Sequence, residues 1–231
     1  MRRVVVTLAV LCLLVLTVWP FHDRALKLGL PLSLYIVWAE LLRRGWKRKG
    51  LRAVLLVLPF VAVAPFCLPG RSMDTAALRG RYLAAMKDLE GTRYVWGGEC
   101  SQGIDCSGLP RRGLRVALLE EGWRHANGAA FREWMRQWWF DESAKAMSEG
   151  YRGFTRPTGV EGILRHLDLK DLQPGDLAVN SIGSHVMIYY GDGKWIQADP
   201  GPAKVFLADP KDFPDSWFDS KVTMHRWTLL E

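Results

Sequence analysis

GTRYVWGGECSQGIDCSGL, residues 91–109, carries five glycines and two cysteines six positions apart. A segment with helical periodicity precedes it and another follows. From Thr75 to Leu89, apolar residues recur at Ala76, Leu78, Leu83, Met86 and Leu89, which predicts a helix packed on one face. From Cys106 to Leu119 the pattern again predicts a helix, with Leu109, Leu114, Ala117 and Leu118 inward and the arginines outward. Pro110 falls in its early turns, where a missing backbone donor costs least. A thiol, Cys106, therefore stands at the foot of a helix. Three uses compete for it: a disulfide with Cys100, half of a metal site, or an activated nucleophile.

After Gln173-Pro174-Gly175-Asp176 the character of the chain changes. Leu177–Val179, His185–Tyr190, Lys194–Ala198, Val205–Ala208 and Val222–Leu229 are short, β-rich and separated by Gly, Pro and Asp, which predicts strands. Helices first and strands afterwards predict an α+β domain whose amino-terminal helices pack on an antiparallel sheet. Between the two lies a Trp-rich stretch, residues 123–154, in which Phe131, Trp134, Met135, Trp138 and Trp139 fall at helical spacing. It reads as a helix packed on its own domain, or as an element facing a membrane interface or cleft, where Trp is favoured.

A metal site wants several ligands at tight spacing, but His22, His125, His166 and His225 are scattered singly. Neither a metal nor an organic cofactor is expected. A Cys100–Cys106 disulfide across the short loop is possible in an exported chain. Against it stands the position of Cys106, because a helix amino terminus offers positive dipole and free N–H groups that lower a thiol's pKa.

A thiolate nucleophile needs an imidazole partner that later protonates the leaving amine. SHVMIYYGDGKWIQA, residues 184–198, supplies His185 at the start of an expected hairpin. His185, Met187 and Tyr189 share one strand face. Gln197 joins that face only if the loop holds an odd number of residues, as Gly191-Asp192-Gly193 does with Gly193 left-handed. Met187 then faces Gln197, with His185 on the diagonal. From there an amide oxygen reaches the imidazole and holds its tautomer, as the third member of a triad does.

Taken in order, Tyr94-x-Trp96-Gly97-Gly98, Asp105-Cys106-Ser107-Gly108-Leu109, Pro174-Gly175-Asp176-Leu177 and His185-Val186 with a polar residue twelve positions later resemble the NlpC family, papain-like cysteine peptidases of bacterial cell walls. The resemblance runs from about Thr75 to Ala208. It implies Cys106 as nucleophile, His185 as general base and acid, and Gln197 as the orienting residue. It also implies that Tyr94 lies near the oxyanion and substrate, and that Asp105 and Ser107 line the site for a stem-peptide amine. The implied substrate is the peptidoglycan stem peptide, cut where D-glutamate joins a diamino acid through its γ-carboxyl. Three features depart from the family pattern: Gln197 in place of the usual His, Met187 in place of a usual Gly, and a gap of 79 positions from Cys106 to His185. Rival readings are a thiol amidase or acyltransferase on another substrate, and a catalytically silent wall-binding module.

The net charge of +7 divides unevenly. Residues 1–70 hold 10 Lys/Arg against 2 Asp/Glu, whereas residues 71–231 hold 21 against 22. A nucleic-acid binder carries its charge on the folded domain, so nucleic acid is not an expected partner. The basic part contains three apolar runs, Val4–Trp19, Leu26–Leu42 and Leu51–Leu68, each close to the roughly 17 residues that span a bilayer. The first and third are the clearer spans, since Lys27, Pro31 and Glu40 interrupt the second. RRGWKRKGLR, residues 43–52, carries six positive charges and is expected to stay cytoplasmic, with Arg2 and Arg3 on the same side if all three runs span. Residues 1–70 are thus expected to be an anchor of two to three helices in the lipid bilayer of the bacterial inner membrane. Residues 71–231, with an insertion at about 123–154, form the domain on the extracytoplasmic side. Ala62-Val63-Ala64 has the small-x-small form of a cleavage site but lies far from the amino terminus for one.

Overall fold

The computed structural model describes residues 2–231, Arg2 by its backbone alone. Three apolar helices open the chain: α1 (Arg2–Thr17), α2 (Arg24–Gly45) and α3 (Lys49–Cys67). Their apolar side chains point outward; Leu28, Val54 and Phe60 are 62%, 63% and 77% exposed. By length and composition α2, with 22 residues, and α3, with 19, can cross a membrane, while α1 with 16 is shorter. The interruptions of the second run do not break its helix. α2 passes unbroken through Pro31, and its charges sit near its ends, paired: Lys27 Nζ lies 2.7 Å from Asp141, and Glu40 meets Arg43 and Arg44. Ala62-Val63-Ala64 lies inside α3.

The remaining chain forms α4 (Thr75–Lys87), a small hairpin of β1 (Glu99–Cys100) and β2 (Gly103–Ile104), α5 (Gly108–His125), α6 (Gly128–Trp139) and α7 (Ala144–Ser148). Then come β3 (Thr155–Ile163), β4 (Leu177–Asn180), β5 (Val186–Gly191), β6 (Lys194–Asp199), β7 (Lys204–Ala208) and β8 (Lys221–Trp227). β3 to β8 make one antiparallel sheet in the order β3-β8-β4-β5-β6-β7. This is the expected α+β architecture. Leu78, Tyr82 and Met86 of α4 and Leu109, Leu114 and Leu118 of α5 pack on Leu177, Val179, Val186, Ile188 and Ile196 of the sheet. The opposite sheet face is covered as well, by Leu164, Leu172 and Phe218 over Met187, Trp195 and Met224.

Two features depart from the sequence reading. β3 is an additional strand, concealed by Pro157, Gly159 and Gly162; as an edge strand bonded only to β8, and bulged between Pro157 and Glu161, it tolerates a residue without an N–H. The arginines of α5 are not all outside: Arg111 and Arg115 are 7% and 4% exposed. Both meet Glu99, each at 3.0 Å, and Glu99 is itself buried. Buried charges need such partners.

The apolar helices are tied to this domain at three places. The backbone of the α1–α2 connection joins the glycine loop, with Glu99 N donating to Pro20 O at 2.9 Å and His22 N to Gly97 O at 3.4 Å. Lys27 meets Asp141 in the connection after α6. At the end of α3, Arg132 donates to the carbonyls of Phe66 and Leu68 at 2.8 and 3.1 Å, Gly128 N donates to Pro69 O, and the Asn127 side chain brackets the backbone of Arg71. The Trp-rich α6 thus lies between α5 and α3, with Phe66 beside Phe131 and Trp134.

Candidate active site

The glycine loop folds around one carboxylate. Asp105, buried, accepts from Gly108 N at 2.6 Å, Gly97 N at 2.8 Å and the Ser107 hydroxyl at 3.0 Å. It therefore caps the start of α5 and pins the turn at Gly97, whose φ of +75° favours glycine. Gly108 is demanded by contact: a Cβ there would sit 2.2 Å from the carbonyl oxygen of Gly98. These close approaches hold Cys106 between the hairpin and α5.

Cys106 is 7% exposed at the wall of a cleft of about 350 Å³ that Tyr94, Asp105, Ser107, Ser143 and Ser184 also line. Its Sγ lies 3.9 Å from the carbonyl oxygen of Ser184, the residue before His185. The thiol does not have the lowered pKa expected of a helix terminus. Burial pushes it up to about 12, and the Asp105 charge adds to the shift. Burial outweighs the lowering that the backbone N–H groups of Val186, Ser107 and Cys106 supply. Among the described residues all four cysteines are free, Cys100 included.

His185 and Gln197 are brought together. His185 Nε2 lies 2.7 Å from Gln197 Oε1, both residues being buried. The route differs in detail from the expected three-residue loop. Ile188 faces Ile196 and Tyr189 faces Trp195, but the strands then slip, so that Gly191 faces Lys194. The turn is Asp192-Gly193, with φ of 51° and 75°, the positive pair of a type I′ turn, and the surplus residue is a bulge at Tyr190. The number of residues between Tyr189 and Trp195 is still odd, so the expected face is kept. Burial lowers the His185 pKa to about 4, against the opposing hydrogen bond from Gln197 and the charge of Asp215. Burial thus disfavours the charged form of both groups.

Tyr94 is held by its backbone N–H on Ala203 O at 2.8 Å and by a bridge to Ile104. Burial, with Cys106 and Asp105 beside it, pushes its phenol up, so it stays an O–H donor.

Three neighbours escaped sequence reasoning. Gln197 Nε2 donates to Asp215 Oδ2 at 2.6 Å. Trp217 stacks on the His185 ring, centroids 4.2 Å apart and planes 15° from parallel, and its indole N–H donates to Asp199 at 3.2 Å. Asp215 and Trp217 lie on the loop before β8, eighteen and twenty residues beyond Gln197, and no periodicity marks them.

Among the described residues one group of His, Asp and Glu has metal-like proximity: ligand atoms of His22, Glu99 and Asp141 lie within 4.8 Å of one another. Arg111, Arg115 and Lys27 already neutralise its carboxylates, so the group does not fit a cation.

Among known proteins, the description of the NlpC/P60 family matches residues 91–211. None of the curated proteins matches the chain. Similar solved structures include NlpC2 from Trichomonas vaginalis, at 20% identity and a TM-score of 0.42 over 67% of this chain and 49% of that one. The peptidoglycan hydrolase RipB from Mycobacterium tuberculosis is 18% identical, with a TM-score of 0.38 over 64% and 65% of the two chains. An NlpC/P60 family protein from Bacillus cereus is 19% identical, with a TM-score of 0.42 over 68% and 41%. The matched part of the chain spans about half the length of the Trichomonas protein.

Proposed function

The chain belongs to the NlpC/P60 family, and on that premise we propose that it is a membrane-anchored thiol peptidase of peptidoglycan stem peptides. The scissile bond is the amide between the γ-carboxyl of D-glutamate and a diamino acid. Residues 1–70 are the bilayer anchor, and residues 71–231, including the insertion at about 123–154, are the catalytic domain on the extracytoplasmic side. The observation that carries the reading is the buried His185–Gln197 hydrogen bond next to a cleft that exposes Cys106.

With the thiol pushed up to about 12 and the imidazole down to about 4, the proton leaves sulfur during attack rather than before it. His185 Nδ1 takes that proton as Sγ bonds to the scissile carbonyl carbon, and the carbonyl electrons move to oxygen. The Tyr94 hydroxyl donates to this oxyanion. His185 then gives the proton to the departing amine as the C–N bond breaks, leaving a thioester on Cys106. Water, deprotonated by His185, attacks the thioester; the acid departs and sulfur recovers its proton. Gln197 keeps Nε2 occupied, and Asp105 and Ser107 face the substrate's free amine.

The full chain in detergent micelles should separate glutamate from diamino acid in a synthetic stem peptide, with Cys106→Ala slower by at least about 10³. Chelators should leave the rate unchanged and thiol alkylation should remove it. A folded wild-type enzyme that leaves the peptide intact would sink the reading.

A further inference from the structure

A glutamine as the third member of such a site poses a problem. Its amide has an oxygen end and a nitrogen end of nearly equal size, and only the oxygen end holds the imidazole in the useful tautomer. Turned over, Gln197 would present N–H₂ to Nε2, which would favour a proton on Nδ1, the nitrogen that must be vacant to receive the thiol proton. Something must fix which end faces His185.

We propose that Asp215 is a positioning residue which, through the Gln197 amide, decides which nitrogen of His185 carries the proton. This rests on the peptidase reading only for its kinetic consequence. The geometry is a chain of donors and acceptors. Trp217 N donates to Asp215 Oδ1 at 3.0 Å, and Gln197 Nε2 lies 2.6 Å from Asp215 Oδ2. An acceptor at that end of the amide requires its N–H there, which sends Oε1 to His185 at 2.7 Å. An acceptor at Nε2 requires Nε2–H, and Nδ1 keeps its lone pair. Turning the amide over would set its oxygen against the Asp215 carboxylate and lose that hydrogen bond, whichever tautomer His185 took.

Burial makes the constraint decisive. Gln197 and His185 are at most 1% exposed, and Asp215 is 8% exposed, so little water competes for the amide. The same loop grips the imidazole a second way, through the stacked Trp217 ring, whose indole is tied to Asp199. Asp215 thus acts on the edge of the ring and Trp217 on its face. Burial holds the Asp215 carboxyl above the usual range, with Asp199 adding to the shift against the opposing Trp217 N–H. Its influence is accordingly carried by direction more than by charge.

The tautomer itself can be read without substrate. In the full chain, labelled with ¹⁵N-histidine and held in detergent micelles, His185 should give the Nε2–H signature. Asp215→Ala should mix the two tautomers, and Asp215→Asn, which keeps the size and can turn an N–H toward Gln197, should mix or invert them. On a stem peptide, Asp215→Ala should lower kcat about fivefold or more with KM unchanged, since a mis-set tautomer disables the base. Adding Gln197→Ala should then give no less activity than Gln197→Ala alone, because the proposed route from Asp215 to the imidazole runs through that amide. An Nδ1–H form in the wild type, an unmixed Nε2–H form in the folded Asp215 variants, or losses that multiply would overturn the proposal. A wild type with the Nε2–H form that cleaves no stem peptide would instead remove the peptidase reading and leave this one standing.

Discussion

His22 and His185, both with buried rings, are used in opposite ways in this molecule. His22, in the α1–α2 connection, is spent on all sides: Nε2 lies 2.6 Å from Trp138 O and 3.4 Å from Arg115, and Nδ1 lies 3.7 Å from Glu99. Around it, Arg111, Arg115 and Lys27 outnumber Glu99 and Asp141. His185 commits Nε2 to Gln197 and stacks one face on Trp217, while no protein bond to Nδ1 is present among the described residues. A fully satisfied buried histidine is a joint; one held firmly by a single nitrogen is equipped to move a proton. What separates them is the unspent nitrogen, since burial lowers the pKa of both.

The joint should break hardest. Glu99→Ala leaves Arg111 and Arg115 buried without their shared acid, and removing one member of such a cluster costs about 3–5 kcal/mol. Urea or thermal unfolding of the full chain should register that loss. A change under 1 kcal/mol would mean that Asp141, already 2.8 Å from Arg111, suffices to hold the arginines.

Substituting around each histidine in turn sharpens the contrast. Gln197→Ala should lower kcat on the order of 10² with little change in KM, because orientation of the base is lost while the cleft is not. His22→Gln should keep kcat on a soluble stem peptide within about twofold and lower the melting temperature instead. If His22→Gln cost as much turnover as Gln197→Ala, the division into joint and site would be wrong.

Glu142 gives a smaller effect with a definite sign. It is fully buried, and burial raises its pKa from 4.5 to about 8, against the opposing charges of Arg111 and Arg136. Below the unfolded value both states hold the proton. Between there and about 8 the folded state keeps a proton that the unfolded chain has released, so stability falls as pH rises through this window. Glu142→Gln mimics the protonated form and should escape the decline, matching the wild type near pH 4 and exceeding it at pH 8 by at most a few kcal/mol. Parallel melting curves at the two ends of the window would expose a Glu142 that ionises normally.

Much of the domain was legible in the chain because its periodicities are plain. α4 and the strands β4 to β8 lie within two residues of their expected places, while α5 starts two residues later and runs six further. Parity placed Gln197 on the His185 face even though the turn was assigned one residue too long, since a bulge supplies the odd residue. β3 was hidden by proline and glycine that an edge position tolerates. Arg111 could have been anticipated: seven residues before Leu118, it shares that residue's inward face, and the buried partner it needs is Glu99. The thiol's raised pKa is not legible in a spacing rule, which sees the helix start but not the burial that outweighs it. Asp215 was not legible at all. It comes from an irregular loop, and only tertiary folding puts it behind Gln197.

The Arg132, Asn127 and Gly128 bonds to residues 66–71 leave no slack between the last apolar helix and the domain. A peptidase on a long flexible tether sweeps a hemisphere and can trim strands far from its point of attachment. On the proposed membrane reading this one is bolted down, and its working distance is the breadth of a single domain, a radius of gyration of roughly 15 Å. Material already lifted away from the bilayer would be out of range, and whatever is still being laid against it would be in range. Altitude would then do some of the selecting that other enzymes leave to their pockets.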